Sequence, residues 1–385
     1  MVGAFALAAL WGVEAVAKRG GLQWRNGLHW PVLALLGWAA VATAASLNPR
    51  LSLLGAYKSY DGLYATVAFG VVFFAMAQAF RLHQVKLALS VLYFAGGGLV
   101  VLYGLIQLHD RTWSGPRWDW IRWGETSFTG ASIWSTLGNP NHLAGFLAVI
   151  LPIGVVLALL YRSWWVRALI AAIAAVAVLE LLQTTTRGAW LATVVAFLAL
   201  AALMVPEIKR HPKVAASLAG GLVVAVVVAG MALGSTRNLG AQLGSAFKFG
   251  DNSTAVQRVE LWKTAVRIAS DRPLVGTGPD GYRIFFTSLQ SPKFVRLYGP
   301  DQIANGPHNV FMNYLSTQGY PALVAFVGLL GLAALRAVGS WRRVRRIEAN
   351  AEDGFSAQGR EARLVLAGVV VALLAYVVQA TFNTQ

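Results

Sequence analysis

Thr184-Thr185-Thr186-Arg187-Gly188 divides two apolar runs, residues 165–183 and 188–205. Each run is near the roughly 20 residues that an α-helix needs to cross a bilayer. So few residues between them permit only a tight turn, which makes the pair a helical hairpin in the membrane. Arg187 stands at the mouth of that hairpin. An arginine at membrane depth is costly and commonly faces a cavity or a partner. Two readings stay open: the side chain snorkels to the headgroups, or its guanidinium offers a fork of donors to phosphate oxygens. Glu180, about two helical turns below, is a candidate counter-ion.

The same pattern extends outward over the whole chain. Of 385 residues, 57% are hydrophobic and only 12% are charged. Apolar runs occupy 2–17, 31–47, 62–80, 87–108, 142–161, 165–183, 188–205, 214–233, 309–335 and 362–381. The expected fold is all-α, a polytopic transmembrane helix bundle of about ten spans with one long, partly helical outer loop. The chain then divides into residues 1–233 (eight spans), 234–307 (the long loop with an amphipathic helix) and 308–385 (two spans). With no cysteine, disulfides and thiolate metal sites are excluded. Val2 to Ala17 is followed, not preceded, by Lys18 and Arg19, the reverse of a cleavable signal, so it reads as a helix entering from outside.

The formal net charge is +16, with 32 Lys and Arg against 16 Asp and Glu. In a bilayer protein this implies basic cytoplasmic loops, not nucleic acid. One set of alternate loops holds seventeen Lys and Arg, and the other short loops hold six. The first set is therefore cytoplasmic. Arg187, the loop from about Gly234 to Pro307 and the start of the ninth span at His308 all fall outside.

Two outer segments carry pattern of their own. His109 to Gly138 holds Trp113, Trp118, Trp120, Trp123 and Trp134. It reads as an interfacial anchor or as an aromatic platform for a sugar ring. In the long loop, Ser253 or Thr254 can cap a helix, and Thr254 with Gln257 fits a capping box. Val256, Val259, Trp262, Val266 and Ala269 then recur at helical spacing until Pro273 ends the run. Arg258 thus sits near the start of an amphipathic helix of about 16 residues, with Trp262 one turn on and able to stack on the guanidinium. Gly276-Thr277-Gly278-Pro279-Asp280-Gly281 matches a dinucleotide fingerprint only formally. No strand precedes it and a proline interrupts it, so a tight turn is the better account.

Gly306-Pro307-His308-Asn309-Val310 opens the ninth span. A histidine there is either structural or a general base, since imidazole can take a hydroxyl proton near neutral pH. His142, in Gly138-Asn139-Pro140-Asn141-His142, is a second outer histidine and a possible helper. No metal site and no cofactor motif is evident: the outer acidic residues are scattered and thiols are absent. A phosphate ligand would then be neutralised by arginines.

The order of these motifs resembles the O-antigen ligase and O-antigen polymerase family. It runs Gly138-Asn139-Pro140-Asn141, Thr186-Arg187-Gly188-Ala189-Trp190, Arg258 with Trp262, and Asp271-Arg272-Pro273-Leu274-Val275-Gly276-Thr277-Gly278. His308-Asn309-Val310-Phe311-Met312-Asn313-Tyr314-Leu315 and Gln318-Gly319-Tyr320-Pro321 complete it. The resemblance implies a metal-independent, inverting glycosyltransferase of the membrane-integral GT-C class. It implies an undecaprenyl-diphosphate-linked glycan as donor, with lipid A core, a growing polysaccharide or a protein as acceptor. Its place would be the bacterial inner membrane, its site facing the periplasm. By position, Arg187 and Arg258 would bind the diphosphate and His308 would deprotonate or orient the acceptor. Asn309, His142, Trp262 and Asp61 are possible helpers, Asp61 by analogy with carboxylate bases elsewhere in the class. The family usually has about twelve spans with both ends cytoplasmic, so one further span is expected at each end. Two other readings compete: a transporter of a small anion, bicarbonate-like, and a scaffold of a polysaccharide-export complex.

Overall fold

The computed structural model describes residues 27–57, 60–79, 82–112, 133–184, 186–210, 254–349 and 357–382. It is all-helical, with no strand among the described residues. In chain order the helices are α1 (His29–Ala44), α2 (Pro49–Leu54), α3 (Leu63–Ala79), α4 (Leu82–Val91), α5 (Gly98–Thr112), α6 (Pro140–Leu160), α7 (Trp164–Gln183), α8 (Arg187–Leu203) and α9 (Val205–Arg210). They continue as α10 (Thr254–Asp271), α11 (Tyr282–Leu289), α12 (Pro292–Tyr298), α13 (Val310–Ala349) and α14 (Ala357–Ala380). A π-turn at Leu92–Gly97 joins α4 to α5.

Among the described residues five helices are long and apolar enough to cross a membrane: Gln84–His109, Pro140–Leu160, Trp164–Gln183, Val310–Glu348 and Gly359–Ala380. The chain is a multi-pass membrane protein. The expected second, third and seventh spans correspond to shorter apolar helices, His29–Ala44, Leu63–Ala77 and Arg187–Leu203, of no more than 17 residues. Turns at Ala45 and Met204 end the first and the last of these. The expected spans 2–17 and 214–233, the tryptophans from Trp113 to Trp123 and the cap at Ser253 lie outside the described residues.

The chain forms two compact units: Met1–Arg81 with Phe249–Gly339 and Ala380–Gln385, and Leu82–Lys248 with Ser340–Gln379. In the second, α6 is the central helix. Leu143, Leu147, Ile150, Leu151, Ile153 and Leu157 are all at most 2% exposed, so it is buried on every face. Arg167 donates to the carbonyls of Ala158 and Tyr161, occupying acceptors that the end of α6 leaves open. Arg363, 1% exposed, is held by Glu348 at 3.0 Å.

In the first unit, the helical run of α13 is broken at Gly319 (φ 76°, ψ −175°), two residues before Pro321. Proline has no N–H, and Tyr320 turns its own N–H to the carbonyl of Pro273 at 2.8 Å. The helix therefore leaves the carbonyls of Ser316, Thr317 and Gln318 without partners of its own. The turn after α10 supplies them. Thr277 N–H donates to Ser316 at 3.0 Å and Gly278 N–H to Thr317 at 2.7 Å. The Trp38 indole on α1 donates to Gln318 at 2.9 Å and to Leu274 at 3.0 Å. The close fit demands glycine. A Cβ on Gly276 (φ 57°) would overlap the Ser316 carbonyl, and one on Gly319 would overlap the carbonyls of Pro273 and Leu274. Gly276-Thr277-Gly278 is thus a backbone plug for a helix break, which is how an apolar element tolerates a non-helical residue.

Helix α10 exists as expected over Thr254–Asp271, but of its five spaced apolar positions only Ala269 is buried. Leu261, Ala265 and Ile268 pack against Tyr282, Phe286 and Phe294, all at most 1% exposed. Val259 and Val266 are 43% and 44% exposed. Helices α11 and α12 cover a stripe rotated from the valine stripe. The aromatic rings they bring offer more apolar area to bury than β-branched side chains do.

Candidate active site

In the first unit, Arg258 lies near the start of α10 and is half-buried. Burial pulls its guanidinium below the ordinary value. One turn on, the half-buried Trp262 indole donates to the carbonyl of Pro307 at 3.0 Å. That bond fixes α10 to the residue immediately before His308. His308 itself has a left-handed backbone, φ 50°, and is exposed while its neighbours Pro307 and Asn309 are buried. A non-glycine residue in that region is uncommon and often marks a site where geometry matters. Here it turns the imidazole outward at the helix mouth.

Asn309 has a defined local task. Its Oδ1 accepts from Phe311 N–H at 2.9 Å and Met312 N–H at 3.1 Å, which makes it the N-cap of α13. Its Nδ2 donates to the Thr381 carbonyl at 2.9 Å. Asp61, just before α3, sits by Asp280, whose carboxylate accepts from Ala56 N–H at 2.6 Å. Burial, and then the Asp280 charge, raise the Asp61 carboxyl from 3.8 to about 6. Beside Trp262 an apolar groove of about 470 Å³ is lined by Val259, Trp262, Val266 and Met312, with Lys263 and Arg267 also on its walls.

In the second unit, Arg187 is the first residue of α8 and is exposed. Its motif is explained locally. Gly188 and Ala189 are buried, and Trp190 donates its indole N–H to Leu181 at 3.0 Å, back across the turn. Thr184 Oγ1 reaches the same carbonyl at 2.7 Å. Thr186, the N-cap position, donates to Asn141 Oδ1 at 3.1 Å. Asn141 and His142 belong to the first turn of α6, which Asn139 caps through Asn141 N–H at 2.8 Å. The mouths of α6 and α8, carrying His142 and Arg187, are thereby joined. Gln379, near the end of α14, closes the group by donating Nε2 to the Asn141 carbonyl at 3.3 Å.

The expected counter-ion for Arg187 is not one. Both carboxylate oxygens of Glu180 are buried without a hydrogen-bond partner, and they lie against Gly104 of α5, where a Cβ would overlap them. Two turns of helix point Glu180 toward α5 instead of toward the mouth.

The first unit therefore contains Arg258, Trp262, His308, Asn309 and Asp61, and the second contains Arg187 and His142. Sequence reasoning missed Asp280 and Gln379. A lone amide inside the apolar run 362–381 is a legible signal, since polar side chains at membrane depth usually have a task. Asp280 carried no such signal.

Residues 178–327 match a family model described as O-antigen ligase. No curated protein matches the chain.

Proposed function

We propose that this chain, whose residues 178–327 match the O-antigen ligase family model, transfers a glycan from an undecaprenyl-diphosphate carrier to an acceptor hydroxyl. The acceptor is lipid A core, a growing polysaccharide or a protein, and the reaction takes place at the outer face of the inner membrane. Arg187 and Arg258 hold the diphosphate, and His308 takes the proton of the acceptor hydroxyl. The acceptor oxygen bonds to the anomeric carbon as the bond from that carbon to the diphosphate oxygen breaks, inverting the centre. Charge growing on the departing diphosphate is met by guanidinium groups instead of a metal ion.

The observation that carries this reading is the exposed His308 imidazole, turned out by a left-handed backbone and tied through Pro307 to the helix of Arg258. The apolar groove beside Trp262 supports a substrate with a hydrocarbon part. The competing reading, an anion transporter, draws on the broken helix α13, a device that transporters use to coordinate ions. Here the carbonyls freed by the break each accept from a protein donor, Thr277 N–H, Gly278 N–H or the Trp38 indole.

The test is transfer in membranes supplied with an undecaprenyl-diphosphate-linked glycan. Arg187→Ala and His308→Ala should each lower the rate on the order of 10²-fold or more while the protein still inserts. The chain has no cysteine, so Arg187→Cys with His308→Cys can be cross-linked without background. Near-normal transfer in both alanine variants, or no cross-link with a short reagent, defeats the assignment.

A further inference from the structure

Gln379 has an unused acceptor in a buried place. The residue is 6% exposed, its Nε2 donates to the Asn141 carbonyl at 3.3 Å, and its Oε1 has no partner. The amide orientation follows from the chemistry, because a carbonyl only accepts: turning the amide over would set two acceptors against each other. The side chain is also seated against Gly145, where a Cβ would come within 3.0 Å of Gln379 Cγ and 3.3 Å of Nε2. The glycine leaves the space that this one side chain fills. A buried acceptor held in place with nothing donating to it is costly and calls for an explanation.

Its surroundings indicate what donates. Asn141, which Gln379 holds, takes a hydrogen bond from Thr186, the residue before Arg187. The first sugar of a lipid-linked donor is bonded directly to the diphosphate that the reading above assigns to Arg187. Its ring hydroxyls are donors held within a few ångströms of that diphosphate. We propose that Gln379 is a specificity-determining residue whose Oε1 accepts a hydrogen bond from a hydroxyl of the donor sugar nearest the diphosphate. This inference rests on the proposed transfer reaction. It adds a sugar-reading contact, made by the last membrane helix, to a site otherwise built for phosphate.

The experiment uses the full chain in membranes with undecaprenyl-diphosphate-linked glycans, one intact and a set each lacking one hydroxyl on the lipid-proximal sugar. Gln379→Met keeps the volume and removes both polar atoms. It should raise KM for the intact donor about tenfold or more, with kcat little changed. One deoxy donor should behave alike in wild type and Gln379→Met. If Gln379→Met does not insert, Gly145→Ala presses on the same amide and should give the same rise in KM. An unchanged KM, or an equal loss with every donor, means that water or structure uses this acceptor and overturns the proposal. If instead Arg187→Ala retains transfer, it is the transfer reading that has failed. An inactive Arg187→Ala beside a wild-type-like Gln379→Met sinks the sugar contact alone.

Discussion

The Trp262 indole N–H and the Pro307 carbonyl stand 3.0 Å apart, which ties the helix bearing Arg258 to the residue that precedes His308. The bond connects α10 to the start of a membrane helix across 45 residues of sequence. Its distal counterpart is the turn after α10, which plugs the break in α13 through Thr277 and Gly278. Helix α10 is thus held at two points to the segment that begins at His308.

Trp262→Phe keeps an aromatic ring in place and removes the single donor to Pro307. The net loss in stability should be small, about 1 kcal/mol. The loss in transfer should be larger, on the order of tenfold or more, because small displacements of positioned groups are amplified in the rate. Comparing kcat with thermal unfolding in detergent checks this. Equal, minor losses in both would show that the bond only stabilises.

Gly276→Ala and Gly319→Ala each add a Cβ where the backbone has positive φ and where a carbonyl already stands. Each should destabilise the protein by about 2–4 kcal/mol, through strain and through loss of the plug. A marked fall in melting temperature is expected in both variants. Glycine to alanine at Gly339, where nothing lies within 4 Å and φ is not positive, should be tolerated.

Asp61 gives a pH dependence of defined sign. Its folded value, about 6, lies above the ordinary 3.8, chiefly through burial and then through Asp280. Between those values the folded protein binds more protons than the unfolded chain, so this group makes stability fall as pH rises from about 4 to about 6. Asp61→Asn removes that slope and should raise the melting temperature at pH 7 to 8, with little effect below pH 4. If the variant is no more stable at pH 8, the carboxyl does not carry this penalty. Loss of transfer in Asp61→Asn with a wild-type response in His308→Ala would make Asp61 the base instead.

Much of this molecule was legible without coordinates, because its strongest signals are local. Apolar runs of membrane length, a polar turn at Thr184–Gly188 and the amphipathic run of α10 each depend on neighbours a few residues apart. They were enough to read an all-helical membrane chain, the amphipathic helix with Arg258, and His308 at a helix mouth. The rejected dinucleotide motif was legible too, as a turn. What that turn does was not. Its partners, Ser316 and Thr317, are about 40 residues away and are recognised through backbone groups that every residue has.

The same limit governs the rest. The buried stripe of α10 was chosen by the rings of Tyr282, Phe286 and Phe294, not by the valines on its own sequence. Glu180 turned out to face Gly104, and Gln379 to hold Asn141, because side chains meet across helices whose rotation hydropathy does not specify. Sequence alone determined that this chain lives in a bilayer and where its charged and imidazole groups enter it. Tertiary structure decided which backbone and side-chain atoms those groups were given as neighbours. The hydrophobic effect is blind to direction, and hydrogen bonds are not.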